Sequence, residues 1–196
     1  FPTRRSSDLD FALKSLDRVW ESCWAAGVGL VHVSPFGEPA EKPDLLDQAQ
    51  MGRALVLAAH LAGRAADLDR ARALGDLLLA SFEDEEKGGF AERAIPGGEG
   101  KKAKQGGKAF DQNAHAVRFL AELASITGRD KYRDAARNAV RAFDKDLGRA
   151  RGEDASDWVL ALRALQKPDL PARPKWIELP KAKEQPRVFR PTAGRR

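Results

Sequence analysis

The chain has 196 residues, 42% of them hydrophobic and 32% charged, an ordinary globular composition for one domain or part of a larger one. No stretch approaches the roughly 20 apolar residues of a membrane span, and Cys23 is the only cysteine, which excludes an internal disulfide and any Cys-pair metal or redox motif. The formal net charge of +5 belongs to the end of the chain: residues 1–165 carry 25 Lys and Arg against 26 Asp and Glu, residues 166–196 carry 9 against 3, and the near-neutral body gives no reason to expect nucleic acid as a partner.

Residues 1–9 have no initiator Met and no apolar core like that of a signal peptide. They resemble the translation of a common sequencing-adapter end, TTCCCTACACGACGCTCTTCCGATCT. That string gives Phe1 to Asp8 codon by codon, and its last two bases force Leu9. Residues 1–9 are therefore set aside as adapter-derived, and the natural reading frame is expected to begin upstream of Asp10.

The next 157 residues read as helices, at about 10–25, 44–63, 67–82, 109–127, 130–146 and 153–166. Segment 44–63 has only Asp44, Asp47 and Arg53 as formal charges, and segment 109–127 only Asp111, Arg118 and Glu122. Helices apolar over that much of their circumference are buried on several sides. Segment 130–146 has nine charged residues of 17 and one stripe, Tyr132, Ala136, Ala139, Val140 and Phe143; segment 67–82 is one-sided through Leu68, Ala71, Leu74, Leu78 and Phe82. The order outer, inner, outer, inner, outer, inner follows. Short links at Gly63-Arg64 and Gly128-Arg129 suit helix C-termini. The long links, 26–43 and 83–108, contain 27–33 and 88–93 as candidate short strands. Trp20 and Trp24, four residues apart on the first helix, are expected in the core or against an upstream hairpin. Asp47-Gln48-Ala49 and Asp111-Gln112-Asn113-Ala114 open the two inner helices of an internal repeat with a period of 61–64 residues. Past Lys167, where six of the 11 prolines lie, no helix can continue. Residues 167–196 are read as a basic Pro-rich tail, a strap over the body up to about Leu179 and then a loose end.

Helices alternating in this way, with long loops at one end, describe an all-α, partial (α/α)6 toroid of about three helical hairpins over 10–166. Leu45-Leu46-Asp47-Gln48-Ala49, Ala71-Arg72-Ala73-Leu74, Phe82 followed by Gly88-Gly89-Phe90, Asn113-Ala114, and Thr127-Gly128-Arg129-Asp130-Lys131-Tyr132 together resemble the C-terminal part of the thioredoxin-domain-containing proteins related to spermatogenesis-associated protein 20. The resemblance implies a six-hairpin toroid preceded by a thioredoxin-like domain, and a likeness to N-acylglucosamine 2-epimerase, cellobiose epimerase and the six-hairpin glycosidases. The basic insert 100–108 and the tail depart from that pattern.

In such toroids the long loops and inner-helix N-termini surround the cavity. This singles out Asp47, Gln48, Asp111, Gln112, Asn113, Asp154 and Asp157 as hydrogen-bonding groups for sugar hydroxyls, with Trp158 or Phe110 stacking on a sugar face. Asp at these places also suits an N-cap. His115 follows Asp111 by four residues and shares its helix face, so a carboxylate beside the imidazole points to a general base; the resemblance implies proton abstraction next to a sugar carbonyl. His32 is a further candidate in the first long loop, and His60 a packed core histidine. Three scattered histidines give no metal site, and no cofactor is expected. Glu83-Asp84-Glu85-Glu86 reads as a solvated loop. The function expected is sugar binding or carbohydrate modification, in a cytoplasmic protein that also carries the thioredoxin-like domain. The alternatives are a non-catalytic helical scaffold serving thiol chemistry or protein partners, and nucleic-acid binding through the tail.

Overall fold

The computed structural model describes residues 2–31, 43–94, 107–167 and 170–172. His32, the insert residues 101–106 and the tail beyond 172 lie outside the described residues. The elements in chain order are α1 (Pro2–Cys23), β1 (Trp24–Ala25), β2 (Gly29–Leu30), α2 (Leu45–Ala62), α3 (Ala65–Ser81), α4 (Phe110–Thr127), α5 (Asp130–Ala142), α6 (Asp144–Leu147) and α7 (Gly152–Gln166). Helix α1 starts at Pro2 and not near Asp10, and it stops at Cys23, so that Trp24 sits in the antiparallel β1–β2 hairpin. The expected helix over 130–146 breaks at Phe143 into α5 and the one-turn α6.

Helix α4 is the centre of the structure. It lies between α2 and α7, with α3 packed on α2 and α5 packed on α4. Ten of its 18 residues are buried, against four of 13 in α5, which is the inner and outer distinction read from charge content. Small residues let the layers close up. A β-carbon on Gly52 would collide with the Phe119 ring, and one on Gly75 with Leu123 and Tyr132. Helices α2 and α4 end alike, and only α2 has a side-chain N-cap. Asp44 caps α2 by accepting from the Leu46 N–H at 2.9 Å. Gly63 and Gly128, both at φ +67°, close α2 and α4 with bonds to the Ala59 and Ala124 carbonyls. Helices α2 and α4 both have 18 residues and start at 45 and 110, and α3 and α5 start at 65 and 130. The repeat therefore runs at 65 residues, not 61–64, and equates Gln48 with Asn113.

Those two side chains hold each long loop to its inner helix. The Gln48 Oε1 accepts from the Leu30 N–H at 2.7 Å, while its Nε2 donates to the Leu30 carbonyl at 2.8 Å and the Asp44 carbonyl at 3.0 Å. Asn113 does the same to Phe90, accepting at 2.7 Å and donating at 2.9 Å, with a further 2.9 Å bond to the Ala109 carbonyl. Both amides are fully buried. In each loop the clamped residue follows a glycine at positive φ, Gly29 at +114° and Gly89 at +79°. A β-carbon on Gly29 would meet the Gln48 Oε1 at 2.8 Å, so the turn and the clamp need the same residue.

The second loop is fixed further by Asp84. The run 83–86 is only partly a solvated loop, because Asp84 is buried, accepts from the Glu86 and Lys87 N–H groups, and pairs with Lys108 Nζ at 2.7 Å. Burial pushes the Asp84 carboxyl up, but Lys108 and the two backbone donors outweigh it and hold it below the usual range. Asp17 ties α1 to α3 through Arg64 and Arg70, and Trp20 stacks on Trp24 with ring centroids 4.4 Å apart. Leu170 packs on the core and the Pro171 carbonyl meets His60 Nε2 at 3.1 Å. The start of the tail thus lies over the body, and His60 is a half-exposed contact for it.

Replacing Asn113 by Leu is expected to destabilise the fold by about 2 kcal/mol or more, because the buried Phe90 N–H and carbonyl lose their partners. Chemical denaturation measures the loss, and hydrogen exchange at the Phe90 amide should quicken before global unfolding. A second prediction concerns Tyr132, which is fully buried and donates to Asp76 at 2.6 Å. Burial, with the Asp76 carboxylate, pushes its phenol up to about 12. The folded state therefore favours the neutral phenol. That stability is complete below pH about 10 and falls away between about 10 and 12, by about 3 kcal/mol in all. Melting temperature against pH should drop across that window, and the drop should shrink in Tyr132→Phe.

Candidate functional site

The inner helices carry one further line of polar side chains. On α4, Asp111, His115, Arg118 and Glu122 recur at three- and four-residue steps and so share one face. Its partners come from the flanking inner helices. Asp157 of α7 stands 3.5 Å from His115 Nε2. Arg53 of α2 reaches both Glu122 oxygens through Nε at 3.1 Å, and Arg118 Nε reaches one of them at 3.2 Å. A cavity of about 90 Å³ between α4 and α7 is lined by Arg118, Glu122, Leu160, Arg163 and Ala164. The wall is acidic and imidazole-bearing towards the helix N-termini and rich in guanidinium further down.

The structure redistributes the residues singled out in the sequence. His115 lies on this wall, partly exposed, but the carboxylate beside it is Asp157 and not Asp111, which is exposed at the head of the stripe. Gln48 and Asn113 have no surface to offer a ligand, since every hydrogen-bonding atom of their amides is spent on backbone. Trp158 is 1% exposed, packs against Phe110 and Phe143 with centroids 5.2 and 5.6 Å away, and donates from Nε1 to the Phe110 carbonyl. Its indole is core and has no face left for a sugar. Gln112 is partly buried, and its Oε1 takes no hydrogen bond among the described residues. Asp47 is elsewhere: with Val19, Cys23, Leu30, Val31, Gln50, Met51 and Ala54 it lines a mostly apolar cavity of about 440 Å³ between α1, β2 and α2. His32 lies outside the described residues.

Sequence reasoning did not assign Arg53, Arg118 and Glu122 to a site. The signal was present, since they are the formal charges past the first turns of the otherwise apolar α2 and α4. Their convergence across 69 residues needs the fold. Among the described residues no group of three or more His, Cys, Asp or Glu side chains could hold a metal ion, and no helix is long and apolar enough to cross a membrane.

Because Glu122 is almost wholly buried and shared by two arginines, losing one arginine leaves it paired and losing both does not. Arg53→Met and Arg118→Met are each expected to cost about 1 kcal/mol, and the double variant to exceed their sum by about 1 kcal/mol or more, measured as a double-mutant cycle in denaturant.

No protein-family model matches the chain, and no curated protein does. Solved structures do. A sugar epimerase from a ruminal bacterium superposes with a TM-score of 0.59 at 17% identity, covering 71% of this chain and 36% of its own. A family 76 glycoside hydrolase from a bovine Bacteroides thetaiotaomicron strain gives 0.55 at 18% identity, over 67% and 29%. The chain thus spans about a third of the length of each of these two structures. Both are (α/α) toroids, and the paired inner and outer helices described above are an arc of that fold.

Proposed function

We propose that the wall formed by α2, α4 and α7 is a saccharide-binding surface of a carbohydrate-related toroid domain. The observation that carries this reading is the single polar stripe Asp111, His115, Arg118 and Glu122 on the central inner helix, with Asp157 and Arg53 completing it from either side. The likeness to a sugar epimerase and a glycoside hydrolase supports it through the fold. In this reading His115 is the general base, oriented by Asp157, and takes a proton from the carbon beside a sugar carbonyl. Asp111 and Gln112 at the head of α4 hydrogen-bond hydroxyls, and Asp47 does so from the neighbouring cavity. Gln48, Asn113 and Trp158 act by holding the loops and α7 in place.

The earlier resemblance extends the proposal to a longer, cytoplasmic protein in which a thioredoxin-like domain precedes the toroid. A second reading, a non-catalytic scaffold for that domain, is favoured by one observation: three of the residues first read as ligand-binding are used for structure.

Titration calorimetry with a panel of mono- and disaccharides tests the main reading. Binding is expected, and His115→Ala with Asp111→Ala should weaken it about tenfold or more, ~1.4 kcal/mol or above, with circular dichroism unchanged. No heat from any sugar with the wild-type chain folded would favour the scaffold.

A further inference from the structure

The Arg53–Glu122–Arg118 cluster has a feature that a neutral sugar would leave unused. Glu122 is 4% exposed and sits between two guanidinium groups. Each arginine reaches it through Nε. Neither makes a hydrogen bond through its Nη atoms among the described residues, and the two side chains keep 33% and 22% of their surface. A guanidinium is always charged, so two of them against one carboxylate leave one positive charge in excess. The buried carboxylate anchors both guanidinium groups by Nε, and Arg118 lines the cavity between α4 and α7. Bidentate guanidinium pairing is the strongest and most directional recognition available for a carboxylate or phosphate. The small cavity beside Arg118, about 90 Å³ with Arg163 also lining it, has room for such a group. The sugar ring is left one to two turns up the same stripe, beside His115 and Asp157.

We infer that this cluster is an anion subsite and that the saccharide held by the wall carries a carboxylate or a phosphate. The inference rests on the saccharide reading above and narrows it to acidic sugars. Arg118 contacts the anion from the cavity wall, and Glu122, shared with Arg53, is a positioning residue that holds the Arg118 guanidinium.

Calorimetry on the full 196-residue chain with glucose, glucuronate, glucose 6-phosphate, acetate and inorganic phosphate tests it. At least one of the two acidic sugars should bind about tenfold or more tighter than glucose. That advantage should disappear in Arg118→Gln and shrink in Arg118→Lys, which keeps the charge and loses the fork. It should also fall as salt rises. The Lys variant guards against misfolding, since Glu122 keeps two cationic partners. Which sugar wins separates carboxylate from phosphate. Equal binding of glucose and both acidic sugars overturns the anion subsite and leaves the saccharide reading standing. Binding of acetate or phosphate at Arg118, with no added affinity from the sugar, upholds the subsite and overturns the saccharide reading. No binding by any of the five overturns both.

Discussion

Two buried side-chain amides set the geometry on which the rest depends. An inner helix of this fold starts where a long loop ends, and the loop must bring its backbone into the core before the helix begins. Buried peptide groups need partners. Here Gln48 and Asn113 supply them, each pairing with both polar groups of one loop residue and with a carbonyl at its own helix start. A side-chain amide presents a donor and an acceptor side by side, so it can stand in for the neighbouring strand that the loop lacks. The glycine before each clamped residue takes the positive φ that turns the loop onto the amide.

Fixing the loops in this way fixes what the inner helices can show. With one side of α4 given to α2, one to α7 and the back to α5 and α3, only a narrow stripe is left for polar groups. His115, Arg118 and Glu122 occupy it. The stripe is stabilised by its own pairing: His115 with Asp157, and Glu122 with Arg53 and Arg118. The aromatic group of Phe110, Phe143 and Trp158 then locks α7 against the start of α4, which sets Asp157 opposite His115. Residues that hold the fold and the polar residues of the stripe alternate around one helix within a few residues of each other.

That alternation explains what the sequence could and could not tell. Helix positions and the inner and outer layers were legible because charge content and periodicity follow burial directly. The repeat was legible too, but its register was not. Aligning the two Asp-Gln pairs gives one spacing, whereas the fold aligns Gln48 with Asn113, because either amide can make the clamp. The same residue types serve in clamps and in sugar sites, so Gln48 and Asn113 read as ligand groups until their burial is seen. Trp158 was ambiguous for the same reason, as an indole suits a core and a sugar face equally. The partner of His115 was misread as Asp111, since helical spacing reveals neighbours on one helix and is blind to α7. Arg53, Arg118 and Glu122 stood out as charges in apolar helices, and only their meeting in space gives them a common role.

The central claim is that ligand binds on the stripe of α4 and its flanks, while the amides behind it serve the fold. Mapping amide chemical-shift changes on adding a saccharide addresses this most directly. The account predicts the largest changes at Asp111 to Glu122 on the exposed side of α4 and at Asp157 to Arg163 on α7. Changes confined to Val19, Asp47 and Met51 around the α1–α2 cavity would contradict it.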